Sequence, residues 1–203
     1  MSWQNIPGWC SYEYLYREAI DRMPAKGGRM LEIGSALGQS AACAGELIIA
    51  SGKEIELWCV DCWLGAEGWP SVWLMGLEPV LDVSLVKDAA NPFAAFVACL
   101  EAEAPQVLRA PWFHAVRAFS MDAARLVEGD FDFIFVDGDH RYDGALLDIK
   151  TWLPRVKAGG VLAGDDYLHE FQGVIRAVGE SFGDDVRITA GPKGRHWWHE
   201  VKR

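Results

Sequence analysis

The strongest constraint on the fold is a repeated pattern. A short apolar run of β type stops at a glycine or an acid, and a stretch with helical spacing follows. Residues 29–33 stop at Gly34, 55–60 at Asp61, 131–136 at Asp137 and 161–164 at Asp165. Residues 112–119 alternate well enough for one more strand. Helical spacing marks 37–51, 93–103, 123–127, 144–153 and 171–182, with Asp143 placed to cap the fourth of these. Strands that alternate with helices pair in parallel and are covered on both faces. Two last runs, 186–189 and 197–201, flank a Gly-Pro-Lys-Gly loop and read as an antiparallel hairpin at one edge. Prolines and glycine pairs, Pro24 with Gly27-Gly28 and Pro154 with Gly159-Gly160, punctuate the pattern.

A chain of 203 residues, 51% of them apolar, suits one domain (1–203) with its own core. Before the first strand, residues 11–23 place Tyr12, Leu15, Tyr16, Ala19, Ile20 and Met23 on one helical face. This makes 1–27 a helical extension, whose apolar face can pack on the core or on a second copy in a homo-oligomer. Residues 62–92 have weak periodicity and read as a lid or insertion; their Trp63, Trp69 and Trp73 offer a platform for a sugar or aromatic acceptor. The net charge of −10 disfavours nucleic acid and anionic membrane surfaces as partners. No apolar stretch reaches membrane-spanning length, and residues 1–10 lack the basic-then-apolar order of a secretory signal. Five scattered cysteines do not make a disulfide framework, so we expect a cytoplasmic protein with reduced thiols. Cys59-x-x-Cys62 has no second cysteine or histidine pair at zinc spacing and reads as two small residues flanking a loop acid.

The acids carry the chemistry. The fourth strand ends in Asp137-Gly138-Asp139-His140 and the fifth in Asp165-Asp166. If these strands are neighbours, four carboxylates and an imidazole meet at one edge. Two unit charges 4 Å apart repel by about 4 kcal/mol at an effective dielectric of 20. Such a cluster calls for a cation, a bound proton or wide spacing. Hard carboxylate oxygens suit Mg²⁺, and His140 is placed to act as a base near neutral pH. Asp139 either orients the histidine or caps the loop. Asp143, Asp148 and Lys150 read as a solvated helix face, and His196 and His199 as exposed residues of an edge strand.

Glu32-Ile33-Gly34-Ser35-Ala36-Leu37-Gly38 joins the first strand to a helix. The dinucleotide fingerprint fails because Ala36 and Gln39 stand where it needs glycine, and the P-loop pattern fails at Gln39 and Ser40. What remains is an acid followed by Gly34 and Gly38, with Ser35 between them. An acid there, rather than a phosphate cradle, favours a ligand with positive charge or hydroxyls. Asp61 at the next strand end can accept from a ribose diol. S-adenosylmethionine offers an ammonium, a sulfonium and a ribose.

On the segments LEIGSALGQS, WCVDCWLG and FDFIFVDGDHRYDGALLDIKTWLPRVKAGGVLAGDDY, the chain resembles the class I S-adenosylmethionine-dependent methyltransferases. It is most similar to a small-molecule O-methyltransferase branch in which DGDH-x-Y precedes GG-x-[IL]-x-x-DD. The resemblance spans roughly residues 28 to 170. It implies a Rossmann-like, doubly wound α/β fold whose seven-stranded sheet has the order 3-2-1-4-5-7-6 with strand seven antiparallel. It implies Glu32, Gly34 and Asp61 as cofactor residues, Ser120-Met121-Asp122 near the adenine, and Asp137, Asp165 and Asp166 as metal ligands. Asp137 then serves both the cofactor and the metal. The commoner loop of this superfamily has glycine where this chain has Ala36. The expected activity is Mg²⁺-dependent methyl transfer to a hydroxyl of a small molecule such as a sugar or natural-product glycoside. Its rivals are a metal-independent methyltransferase of the same fold and a cofactor-binding protein without catalysis.

Overall fold

The computed structural model describes residues 2–64, 92–191 and 194–202. The expected lid at 62–92, with Trp69 and Trp73, lies almost wholly outside the described residues. Seven strands form one sheet: β1 Lys26–Ile33, β2 Glu54–Asp61, β3 Phe113–Arg117, β4 Phe131–Val136, β5 Val156–Gly164, β6 Arg187–Ala190 and β7 Arg195–Glu200. Their order is β3-β2-β1-β4-β5-β7-β6. The first five run parallel, and β7 is antiparallel to both β5 and β6. The expected sheet order and hairpin are thus observed.

The helices are α1 Glu13–Arg22, α2 Gln39–Ser51, α3 Pro92–Glu103, α4 Pro105–Leu108, α5 Ser120–Leu126, α6 Tyr142–Trp152 and α7 Gln172–Phe182. Two apolar layers result. On one face, Leu15, Tyr16, Ala41, Ile48, Phe96 and Val107 pack against Met30, Leu57, Phe133 and Phe135. On the other, Ala123, Ile149, Trp152, Val174 and Val178 pack against Leu31, Val60, Ile134 and Leu162. Alternate residues of β1 and β4 therefore feed opposite layers, as a strand buried on both faces requires. The amphipathic face of α1 lies on the core: Leu15, Tyr16, Ala19 and Ile20 are buried.

Several sequence expectations need correction. Gly159-Gly160 does not break the chain before β5. The strand runs through it with a register shift opposite Phe131 and Phe133, and Gly160 sits so close to β4 that a Cβ there would meet the Asp132 carbonyl at 2.8 Å. Asp143 does not cap α6; the N-cap is Arg141, and Asp143 stands in the first turn, where its charge favours the helix dipole. The solvated-face reading holds for exposed Asp143 and Lys150 but not for Asp148, which is 6% exposed. His196 is not exposed either. β6 takes the edge of the sheet, which leaves β7 between β5 and β6 and buries His196 completely. His199 is half-buried and stacks on Phe182 at 4.2 Å.

Candidate active site

Register fixes what meets at the carboxyl edge. Ile33 pairs with Val136, and Val136 with Gly164. The ladder continues one step beyond the strands: Asp137 N–H donates to the Ile33 carbonyl at 2.9 Å and Asp165 N–H to the Val136 carbonyl at 3.1 Å. Gly34, Asp137 and Asp165 thus leave three adjacent strands side by side. The site lies where β1 and β4 diverge to opposite halves of the sheet, the place where open α/β sheets bind ligands. Gly34 has to be glycine. Its φ is +90°, and a Cβ would fall 1.9 Å from the Asp137 carbonyl oxygen.

Asp137, His140 and Asp166 come together. Each offers a ligand atom, and these atoms all lie within 4.8 Å of one another, the one such group among the described residues. His140 Nε2 is 2.8 Å from Asp166 Oδ2 and 3.9 Å from Asp137 Oδ1. Asp166 reaches this position with a φ of 60°, a left-handed conformation uncommon outside glycine, asparagine and aspartate. Asp165 lines the same crevice but faces elsewhere: its Oδ1 accepts the Asp166 N–H at 2.7 Å and lies 3.2 Å from His196 Nε2. Asp139 is turned away, paired with Arg141, whose guanidinium holds its carboxyl below the usual range.

The charges respond to this crowding. Burial acts to lower the His140 imidazole, but its bonds to Asp137 and Asp166 prevail and raise it to about 10. Burial, then the charges of Asp137 and Asp166, push Asp165 up to about 8. Burial also raises Asp137, against the bond from His140. The acids raise one another, the direction that a bound cation would reverse.

The glycine loop is a different environment. Both oxygens of Glu32 are used: Tyr16 O–H donates at 2.6 Å and Ser35 O–H at 2.7 Å. Burial still lifts this carboxyl to about 6. Asp61 accepts the Ala36 N–H at 2.9 Å and the Trp63 N–H at 2.7 Å. The Cys62 side chain bonds to it as well, which leaves about one of its roughly four lone-pair positions open to a hydroxyl donor. Ala36 adopts φ 46°, so the alanine takes the left-handed conformation that glycine would favour. Gly38, at φ 89°, precedes the first turn of α2, and no side chain caps that turn. Ser120 opens α5 and accepts from Trp152 Nε1 at 2.8 Å, while Met121 is 43% exposed. Trp63 is no platform: it is buried against Phe93 and Phe96 and donates to the Ala36 carbonyl. All five cysteines are free thiols, Cys59 buried and Cys62 half-buried.

A family model described as a methyltransferase domain matches residues 31–167, which hold both the glycine loop and the acid-bearing strand ends. The chain belongs to this family. It is an S-adenosylmethionine-dependent methyltransferase. Solved methyltransferases share its fold. The O-methyltransferase NovP superposes with a TM-score of 0.65 at 14% identity, over 95% of this chain and 80% of that one. CalS11, a TDP-rhamnose 3'-O-methyltransferase of calicheamicin biosynthesis, gives 0.59 at 15%, over 94% and 76%. TomG from Streptomyces achromogenes, solved with S-adenosylmethionine, gives 0.61 at 16%, over 98% and 82%. A search of curated protein sequences finds no match. No described helix of this methyltransferase is long and apolar enough to cross a membrane.

Sequence reasoning missed the side chains that touch the acids from outside the loop. Tyr12 O–H donates to Asp137 Oδ2 at 2.9 Å across 125 positions of sequence, and His196 reaches Asp165. Tyr12 was legible only as one apolar residue of a helical face. No local pattern marks such a contact.

Proposed function

We propose that this methyltransferase acts on a hydroxyl of a small molecule such as a sugar or natural-product glycoside, with Mg²⁺ at the acid cluster. The observation that carries the reading is the convergence of Asp137, His140 and Asp166 beside the glycine loop. Relatives of the same fold, CalS11 among them, support the acceptor class.

In this reading Glu32, Gly34, Ser35, Gly38, Asp61, Ser120, Met121 and Asp137 line the S-adenosylmethionine site. The remaining lone pair of Asp61 accepts a ribose hydroxyl. The sulfonium is already an activated leaving group, so the protein's task is in-line placement and a more nucleophilic acceptor oxygen. Asp137 and Asp166 would hold the Mg²⁺, and their hard oxygens fit that ion; Asp165, expected as a third ligand, stands outside their group. When bound, the ion lowers the pKa of an acceptor hydroxyl and fixes its position. Once the charge of the ion offsets the acids that keep His140 protonated, the neutral imidazole takes the hydroxyl proton, and Asp166 stabilises the imidazolium that forms.

A second reading has its own observation. The 2.8 Å pair of His140 and Asp166 is a histidine–carboxylate pair that needs no metal. Because Asp137 and Asp166 raise His140 to about 10, it acts as a base only from its neutral form at alkaline pH. One assay separates the two: S-adenosylhomocysteine formation over a panel of hydroxylated sugars and glycosides, with and without EDTA. Loss of turnover in EDTA and its return with excess Mg²⁺ supports the metal site. Undiminished turnover in the chelator transfers the chemistry to the His140–Asp166 pair alone.

A further inference from the structure

The chain before and within α1 reaches both acid-bearing strand ends. We propose that Tyr12, together with a hydrogen-bonded group of Ser11, Tyr14 and His196, anchors Asp137 and its neighbour Asp165 so that the free oxygen of Asp137 is held toward one divalent cation at the Asp137–Asp166 group. The inference rests on the Mg²⁺ reading above.

Each acid has one oxygen tied by this outer layer. Asp137 Oδ2 takes the Tyr12 hydroxyl, so the carboxylate cannot turn, and Oδ1 is left on the His140 side. Tyr12 is itself immobile: it is 3% exposed, and its ring lies 4.3 Å from Phe135 and 5.3 Å from Tyr16. Asp165 Oδ1 is held by the Asp166 N–H and by His196. His196 is tied at both ring nitrogens. Nε2 lies 3.1 Å from Ser11 Oγ, and Nδ1 lies 2.8 Å from Tyr14 Oη. Tyr14 Oη in turn meets Thr189 Oγ1 at 2.7 Å. The imidazole therefore presents one fixed edge to Asp165.

The segment that carries these groups is pinned to the glycine loop. Gln39, the first residue of α2, donates to the Ile6 carbonyl at 2.6 Å and accepts the Cys10 N–H at 2.8 Å. The residue that excluded the dinucleotide fingerprint thus clamps the N-terminal segment over the sheet edge. Partners that hydrogen-bond metal ligands typically control affinity 10- to 100-fold, because they fix the orientation of the ligating atom. A loose Asp137 would have to be ordered by the ion itself.

The test uses Mn²⁺ as the probe and electron paramagnetic resonance as the readout on the whole chain. Tyr12→Phe removes only the hydroxyl and keeps the ring on Phe135. Tyr14→Phe releases His196 in the same minimal way. The wild-type chain is expected to bind one Mn²⁺, Asp137→Asn to lose it, Tyr12→Phe to weaken it by about 10-fold or more, and Tyr14→Phe to weaken it by less. Unchanged Mn²⁺ affinity in both tyrosine variants overturns the positioning role and leaves the metal reading standing. A wild-type chain that binds no Mn²⁺, or an Asp137→Asn chain that binds it normally, overturns both. Circular dichroism on each variant separates weakened binding from misfolding. If Tyr12→Phe fails to fold, Tyr14→Phe decides alone, with wild-type Mn²⁺ affinity counting against the proposal.

Discussion

The β1–β2 edge and the β4–β5 edge both end in acids, yet they treat them in opposite ways. Glu32 and Asp61 each have both oxygens bonded by the chain's own donors. They knit the glycine loop to the strands and the first helix. Asp137 and Asp166 crowd around His140, and Asp165 beside them is pushed up by burial and by their charges. The first arrangement is held in shape by the chain itself and keeps acceptor capacity on Asp61 for a ribose hydroxyl. The second is electrostatically unfinished. Position at a strand end therefore does not say whether an acid is structural or chemical; its bonding partners do.

Substitutions break or sharpen this contrast. Asp166→Asn should cut S-adenosylhomocysteine formation by about three orders of magnitude, roughly 4 kcal/mol of barrier, with S-adenosylmethionine binding by calorimetry retained. Asp61→Asn should instead weaken S-adenosylmethionine binding, and cofactor affinity unchanged there but lost in Asp166→Asn would erase the contrast. Stability should show the reverse. Glu32→Ala strands the hydroxyls of Tyr16 and Ser35 and should cost about 2–4 kcal/mol in urea unfolding, whereas Asp166→Asn removes a like charge but also the 2.8 Å pair with His140, and should change stability by about 1 kcal/mol or less.

Asp148 extends the comparison to a third acid. Burial raises it from the ordinary 3.8 to about 6, against a bond from Ser120. The folded chain then holds this proton more tightly than the unfolded one, so its contribution to stability is present below about pH 4 and is lost as pH rises through 6. Asp148→Asn should flatten that decline and raise stability near pH 7 by about 1–3 kcal/mol, read as a higher midpoint in urea. A lower midpoint at pH 7 would show that the carboxylate makes a bond worth more than its burial costs. The smallest effect belongs to Ala36→Gly, which relieves a left-handed alanine and frees the unfolded chain. These oppose, and the net change should stay within about 1 kcal/mol.

Much of the fold was legible because strand ends are marked chemically. The acids and glycines at 34, 61, 137 and 165 stop their strands in the sequence as they do in space. Neighbourhood of β4 and β5 came from the family resemblance, and register then aligned Asp137 with Asp165. What stayed hidden depended on partners far along the chain. Asp148 looks like a surface acid until β4 and α5 close over it. His196 looks exposed until β6 takes the sheet edge. Tyr12 looks apolar until its hydroxyl meets Asp137. Gly159-Gly160 reads as a terminator locally, but a close neighbouring strand turns it into a bulge.

The most direct test of the unfinished edge is anomalous diffraction from crystals soaked in S-adenosylhomocysteine and Mn²⁺. The account predicts one manganese peak within bonding distance of Asp137 and Asp166, with the cofactor product against Gly34 and Asp61. A cluster that stays free of metal while the product binds, or a manganese peak away from these acids, would contradict it.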